Sequence, residues 1–155
     1  MKLAARPATD SDLPALCDLF NTIVQAGGTT AHEDVWDLPT FQSYYFDDPA
    51  MVHTVLYNEN PIGFQAVFAN DGGLSIGSFT DQSNPVRGAG AVMFAATRAW
   101  AETNKFAWID AKIRADNVPG LAYYTKMGFV DYKVDKGVPL KDGTPMDRIT
   151  KRLMI

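Results

Sequence analysis

Cysteine is almost missing from this 155-residue chain: Cys17 stands alone, so no internal disulfide can form and no thiolate cluster can hold a metal. Only two histidines, His32 and His53, are present, and with Cys17 they form no metal-ligand pattern. No apolar run approaches the ~20 residues of a membrane span, and Met1–Arg6 lacks the apolar core of a secretory signal. There is neither an internal repeat nor a low-complexity linker. Positive charge is not in excess either. A formal net charge of -4 removes any general electrostatic reason to expect nucleic acid or an anionic membrane as partner, and suits a small cationic or zwitterionic molecule better. Together these absences make the cytoplasm the natural compartment.

What is present is the composition of a soluble globular chain, 46% hydrophobic and 21% charged. The length predicts a single domain over residues 1–155, able to bury a core without staples. A short strand is expected over Lys2–Arg6, ended by Pro7. Asp10-Ser11-Asp12 then precedes Leu13, Leu16, Leu19, Phe20, Ile23 and Val24, whose spacing makes one apolar helix face, stopped at Gly27-Gly28. Cys17 reads as a small core residue of that helix. Thr40–Asp47 predicts a second helix, with Phe41, Tyr44 and Tyr45 turned to the core or to a substrate. Met51–Tyr57, Ile62–Ala69 and Leu74–Asp81 predict consecutive antiparallel strands, divided by the turn signals Asn58–Pro61 and Asn70–Gly73. His53 reads as a partly buried structural residue on the first of them. Val130–Val134 and Met146–Arg152 suggest two last strands around a turn-rich connector, Asp135–Pro145, while Trp100 and Trp108 read as packing residues.

The stretch from Asn84 to Phe129 organises the rest. Arg87-Gly88-Ala89-Gly90-Ala91-Val92 leads into an Ala-rich run with no breaker, so a helix begins there. A helix start exposes unpaired N–H groups and partial positive charge, which favours phosphate; glycines let a ligand approach the backbone and Arg87 adds a cation. The Lys-Ser/Thr pair of a Walker A loop is missing, and so is a Gly-x-Gly-x-x-Gly dinucleotide signature. Taken alone, the pattern is equally that of a tight strand-to-helix turn. Phe106–Ile113 predicts a buried central strand. Asn117 then caps a further helix, Pro119 is tolerated in its first turn, Leu121, Tyr124 and Met127 share a face, and Gly128 suits the left-handed position after its end.

In these two runs the chain resembles the GNAT (Gcn5-related) N-acetyltransferase family over nearly its whole length. The family's Arg/Gln-x-x-Gly-x-Gly/Ala signature is similar to Arg87–Val92 except at Val92, whose backbone N–H is expected to remain available. Its second motif resembles Asn117, Gly120, Tyr124, Lys126, Gly128 and Phe129. Asn21–Glu33, with Gly-Gly-Thr-Thr-Ala, is similar to phosphinothricin acetyltransferase-like members, which acetylate the α-amino group of amino-acid analogues. The resemblance implies a GNAT α/β fold: a mixed, mostly antiparallel sheet flanked by helices and splayed between strands 4 and 5. It also implies acetyl-CoA as cosubstrate, no metal, a small-molecule amine as acceptor, and a homodimer.

The implied site follows residue by residue. Thr80, Gln82, Arg87, Gly88, Ala89, Gly90, Ala91, Val92, Asn117 and Tyr124 would hold acetyl-CoA, with an oxyanion-stabilising backbone N–H somewhere from Thr80 to Gln82. Tyr124 would return a proton to the departing thiolate, since a phenol stays protonated at neutral pH. An amine attacks only when unprotonated, so a proton acceptor is needed. Asp81, Glu33 and His32 compete for that task, and a water relay is equally compatible. Asp81 also reads as a turn cap, Asn117 as a helix cap alone, and Tyr124 as a core aromatic. The irregular loop Thr29–Pro39 offers Thr30, His32, Glu33 and Trp36 to the acceptor. Polyamines, aminoglycosides and protein N-termini remain rival acceptors, and a catalytically silent acyl-CoA-binding regulatory module is the rival class.

Overall fold

A computed structural model describes residues 2–155. Its strands are β1 (Leu3–Pro7), β2 (Met51–Tyr57), β3 (Asn60–Asn70), β4 (Gly73–Thr80), β5 (Trp108–Arg114), β6 (Val130–Pro139) and β7 (Pro145–Met154). They make one sheet in the order β1-β2-β3-β4-β5-β7-β6. Every neighbouring pair is antiparallel except β4 and β5, which run parallel. The two early hairpins turn at Asn58-Glu59 and Asp71-Gly72, all four at positive φ, the backbone that keeps a two-residue turn in line with strand twist. Asn60 and Pro61 belong to β3 rather than to the turn, and the register shift between Val55 and Leu56 accommodates Pro61 opposite Leu56.

Helix α1 (Leu13–Ala26) buries Leu13, Leu16, Cys17, Phe20, Ile23 and Val24 against Phe64, Ala66 and Phe79 of the sheet. The expected helix after the acidic loop starts earlier, as α2 (Leu38–Gln42) capped by Asp37, and then widens into a π turn over Ser43–Asp47. This widening places Phe41 and Tyr45 in the core and leaves Tyr44 exposed. On the other side, α3 (Ala89–Thr103) and α4 (Val118–Lys126) flank a second cluster that includes Leu74, Phe94, Ile109, Ile113, Tyr124 and Phe129. His53 on β2 is buried more completely than expected, with Thr97 of α3 beside its Nδ1.

The expected connector Asp135–Pro145 is a correction: β6 and β7 pair along most of it, leaving only residues 140–144 as the turn. Register shifts at Asp131/Lys133 and Asp135/Val138 absorb the irregular sequence, and the Asp147 carboxylate accepts from Gly137 N at 2.8 Å. Among the described residues, no helix is long and apolar enough to cross a membrane.

The feature that makes a site is the β4–β5 junction. These strands pair only at Leu74 with Ile109 and Ser75 with Asp110, and then part. Because β4 has no bulge, its peptide groups alternate regularly between its two edges. Gly72 O accepts from Ala107 N on the β5 side, while Asp81 N donates to Ile62 O on the β3 side. The amides of Ser78 and Thr80, beyond the last paired residues, therefore face the opening.

Candidate active site

The run Arg87–Val92 builds the start of α3 from two backbone demands. Gly88 sits at φ 90°, a conformation costly for any residue with a Cβ. At Gly90 a Cβ would fall 2.6 Å from the Tyr123 ring, which is pinned there because Tyr123 Oη donates to Gly90 O at 2.8 Å. Both glycines are thus required by the fold before any ligand is considered. Ala89 N donates to Val86 O, and Val92 N to Gly88 O, so the Val92 amide is not free as the sequence suggested. The Gly90 and Ala91 amides are the first-turn donors left without a helical acceptor. Val92 itself packs into a small cluster with Leu3, Val55 and Ile62. Arg87 is exposed and makes no ion pair among the described residues.

Two cavities meet at Ser78 and Phe79, where the strands have parted. The larger, about 270 Å³, is lined by Thr80, Gln82, Gly90, Gly120 and Tyr123 among others. The smaller, about 210 Å³, is lined by Thr30, His32, Tyr45, Lys112, Arg114 and Tyr124 among others. Thr29 and Asn117 border both. Asn117 Oδ1 caps α4 by accepting from Gly120 N at 3.0 Å, while its Nδ2 donates to Thr29 O at 3.0 Å. Arg114 Nη1 adds a bond to Thr30 O at 3.3 Å, and its other nitrogens hold Asp116. The loop after α1 is thereby fastened across the parted strands.

Beside the gap, a chain of polar side chains ties β3 and β4 to α4. Tyr124 Oη and Ser78 Oγ are 2.7 Å apart, and Gln65 Nε2 donates to Ser78 Oγ at 2.8 Å and to Tyr123 Oη at 3.2 Å. Gln65 is fully buried and its Oε1 has no hydrogen-bond partner. Ser78 and Tyr124 share one hydrogen bond between two hydroxyl protons, so whichever donates, one proton is left to point outward. Burial pushes the Tyr124 phenol well above its ordinary value, partly offset by Ser78, and pushes Tyr123 up to about 12. Both stay protonated at neutral pH.

The three expected proton acceptors are not equivalent. Asp81 lines neither of the two cavities; its Oδ1 accepts from Ser83 N, Ser83 Oγ and Asn84 N, and these bonds hold its carboxyl below the usual range. Its own amide is spent on Ile62 O, which leaves Thr80 as the residue of the expected Thr80–Gln82 segment whose N–H faces the opening. Gln82 Nε2 folds back onto Thr80 O and Oγ1. Glu33 is exposed and accepts from Lys141 N at 2.8 Å, next to the Asp34–Lys141 pair. Both carboxylates are therefore turn and loop fasteners rather than groups facing the smaller cavity. Trp36 likewise leaves the cavity to pack on Phe20, its carbonyl held by Asn21 Nδ2 at 2.8 Å. His32 is the one that faces inward, with Nε2 2.6 Å from Tyr45 Oη. Burial, then the positive field of Arg148, holds its imidazole below its ordinary value. Among the described residues, no group of three or more His, Cys, Asp or Glu is placed to hold a metal ion.

No protein-family model matches the chain, and no curated protein matches it by sequence. Solved structures do. A ribosomal-protein-alanine N-acetyltransferase from Brucella melitensis is similar at a TM-score of 0.86 and 20% identity, over 97% of this chain and 99% of that one. An N-acetyltransferase from Staphylococcus aureus Mu50 gives 0.87 at 15%, over 99% of each. A GNAT superfamily phosphinothricin acetyltransferase from Sinorhizobium meliloti, solved with AcCoA, gives 0.85 at 16%, over 100% of this chain and 89% of that one.

The chain has the GNAT fold.

Within that fold, sequence reasoning missed Ser78, Gln65, Tyr123 and Arg114 as parts of the site, and offered Tyr45 only as turned to the core or to a substrate. Gln65 carried a signal, being one amide inside the apolar run Phe64–Phe68. Ser78 interrupts the apolar residues of β4, and Tyr123 adjoins Tyr124. The partnership of Tyr45 with His32 carried none, because its hydroxyl reaches that ring only through the π turn.

Proposed function

We propose that the protein is an acetyl-CoA-dependent N-acetyltransferase acting on the primary amine of a small molecule that also bears an anionic group, such as an amino acid or amino-acid analogue. The observation that carries this reading is the meeting of two cavities at Ser78, beside a strand edge with unpaired amides and a buried phenol. The fold supports it, since neighbours of the same fold are N-acetyltransferases and one was solved with AcCoA.

The residues fit acetyl-CoA. The Gly90 and Ala91 amides and Arg87 would take its pyrophosphate, and the larger cavity would take the pantetheine arm, with Gln82 and Asn117 alongside. Once bound, acetyl-CoA supplies an acyl thioester whose sulfur leaves as a thiolate. The Ser78 and Thr80 amides would stabilise negative charge on the acyl oxygen as the amine adds. The outward proton of the Ser78–Tyr124 pair would go to the sulfur. Thr30 and His32 would border the acceptor. Cytoplasmic location and a homodimer complete the reading; buried Cys17 suits a reducing compartment.

Charge supports this acceptor class, even with Arg114 partly balanced by Asp116. Lys112 and Arg114 line the smaller cavity and no carboxylate does. A polyamine or aminoglycoside would meet like charge there, whereas an acceptor with a carboxylate or phosphinate would meet an opposite one. Free-CoA release from acetyl-CoA against amino acids, methionine sulfoximine, phosphinothricin, polyamines, aminoglycosides and short peptides tests this. Release with the anionic amines is expected. Release with polyamines or aminoglycosides alone would overturn the acceptor class, and tight acetyl-CoA binding without release would favour the silent module.

A further inference from the structure

The carboxylates that the sequence offered as proton acceptors are tied up elsewhere, yet amide formation still has to remove a proton from nitrogen. The smaller cavity contains a pair suited to it. Resting on the acetyltransferase reading above, we propose that Tyr45 and His32 form its proton-accepting relay, Tyr45 Oη taking the amine proton while passing its own to His32 Nε2.

Geometry supports the relay. His32 Nε2 and Tyr45 Oη are 2.6 Å apart, and both residues line the acceptor cavity. Tyr45 Oη lies 3.7 Å from where a Cβ on Gly77 would be, so the hydroxyl sits over β4 one residue before Ser78. Successive strand residues point to opposite faces, so the Tyr45–His32 pair and the Ser78–Tyr124 pair stand on opposite faces of β4 at adjacent positions. An amine approaching from one face would meet the first pair, while the leaving sulfur on the other would meet the second. Both rings are held in place. Tyr45 is buried among Phe41, Phe64 and Phe79, and His32 packs edge-on against Phe20 and Trp36.

The proton balance closes. The amine lone pair forms the C–N bond and the carbonyl π pair moves to oxygen; the nitrogen, now strongly acidic, gives its proton to Tyr45 Oη as the Tyr45 proton moves to His32 Nε2. The oxygen pair then reforms the carbonyl, the C–S bond breaks with its electrons on sulfur, and the thiolate takes the outward proton of the Ser78–Tyr124 pair. Solvent returns the proton from His32 to that pair. Tyr45, raised by burial, remains a phenol throughout, and His32, lowered by burial and by Arg148, is neutral at pH 7 and free to accept. The charged and titratable groups around His32 are Lys112 and Arg114 from β5, Arg148 from β7, Tyr124 from α4, and Tyr44 with Tyr45 from the π turn. Glu33 and Asp34 adjoin it in the chain but engage Lys141.

The sign of the pH dependence follows. Protonating His32 blocks the relay, so kcat/KM for the acceptor should fall on the acid side with a midpoint below the ordinary histidine value of about 6.5. The test measures that profile, with the best acceptor from the CoA-release panel, for the wild type, His32→Gln, Tyr45→Phe and Glu33→Gln. Thermal melts confirm that each variant is folded. In His32→Gln we expect a loss of about 100-fold at pH 7 and no acid limb from a histidine, with KM for acetyl-CoA within about two-fold of wild type. Tyr45→Phe keeps the ring packing and removes only the relay atom; its solvent isotope effect should fall from two protons in flight to one. Glu33→Gln should keep the acid limb. Wild-type turnover with the limb intact in His32→Gln, or with the limb lost only in Glu33→Gln, overturns the relay and leaves the acetyltransferase reading standing. A wild type that releases no CoA with any amine overturns both.

Discussion

The larger cavity is assembled mainly from two short runs of chain, 78–90 and 117–123, whereas the smaller one draws on 29–32, 44–45, 68, 75–79, 112–117 and Tyr124. The first is a product of local backbone chemistry: a helix start, a capping Asn, a glycine under an aromatic ring. The second exists only because a loop, a π turn and three strands converge, and its two most interesting side chains are 13 residues apart with no motif between them. A binding site for a common group can be written in contiguous residues, while a site for a particular acceptor is composed by packing.

The largest expected effect tests the seam between the two. Tyr124→Phe removes the more acidic hydroxyl of the pair and leaves the serine alone to protonate the sulfur, and turnover should fall about 100-fold with little change in acetyl-CoA affinity, read from steady-state kinetics across pH. Unchanged turnover would reduce Tyr124 to a core aromatic. Next comes Gly90→Ala, which sharpens the claim that the motif glycine answers to packing. Its Cβ would strike a ring held by two hydrogen bonds, and overpacking of this kind costs about 1–3 kcal/mol, enough to outweigh the ~1 kcal/mol gained in helix propensity. Denaturant unfolding without ligand would register the loss, and a fully stable variant would return Gly90 to a purely ligand-driven role.

Asn117→Ala should cost about 1 kcal/mol from the lost cap and, by freeing Thr29, raise KM for both substrates. If only the acetyl-CoA KM moved, the two cavities would be less connected than the shared Asn117 implies. The smallest effect belongs to Asp81→Asn. The amide oxygen can still accept the three turn bonds, so turnover should stay within about two-fold of wild type. The folded carboxyl sits below its ordinary value, so its small stabilising contribution is present above the unfolded pKa and disappears as pH falls through the folded one. The stability gap between the wild type and the Asp81→Asn variant should therefore close on acidification, and a large loss of turnover would make Asp81 the proton acceptor after all.

Much of this architecture was legible in residues. The period of Leu13–Val24, the turn pairs at 58–59 and 71–72, and the Asn117 cap each depend on neighbours within one or two turns of chain, and each appears where local chemistry puts it. Where local signals failed, a distant partner had overruled them. Residues 135–139 carry Gly and Pro yet pair as strand because β7 supplies bulged partners and Asp147. Glu33 and His32 are adjacent and equally polar; Lys141, more than a hundred residues away, takes the carboxylate, while Tyr45 takes the imidazole.

By itself, then, the order of amino acids determined the helix and strand periods, the caps, the turns and the two motifs that flank the opening. Which amides of β4 are left unpaired, which hydroxyls share a proton, and which polar loop residue faces inward were decided by the tertiary structure. Periodicity and capping are short-range and survive in a linear reading. Hydrogen-bond partnership and burial are set by groups that only the folded chain brings within a few ångströms, and those determine where protons can go.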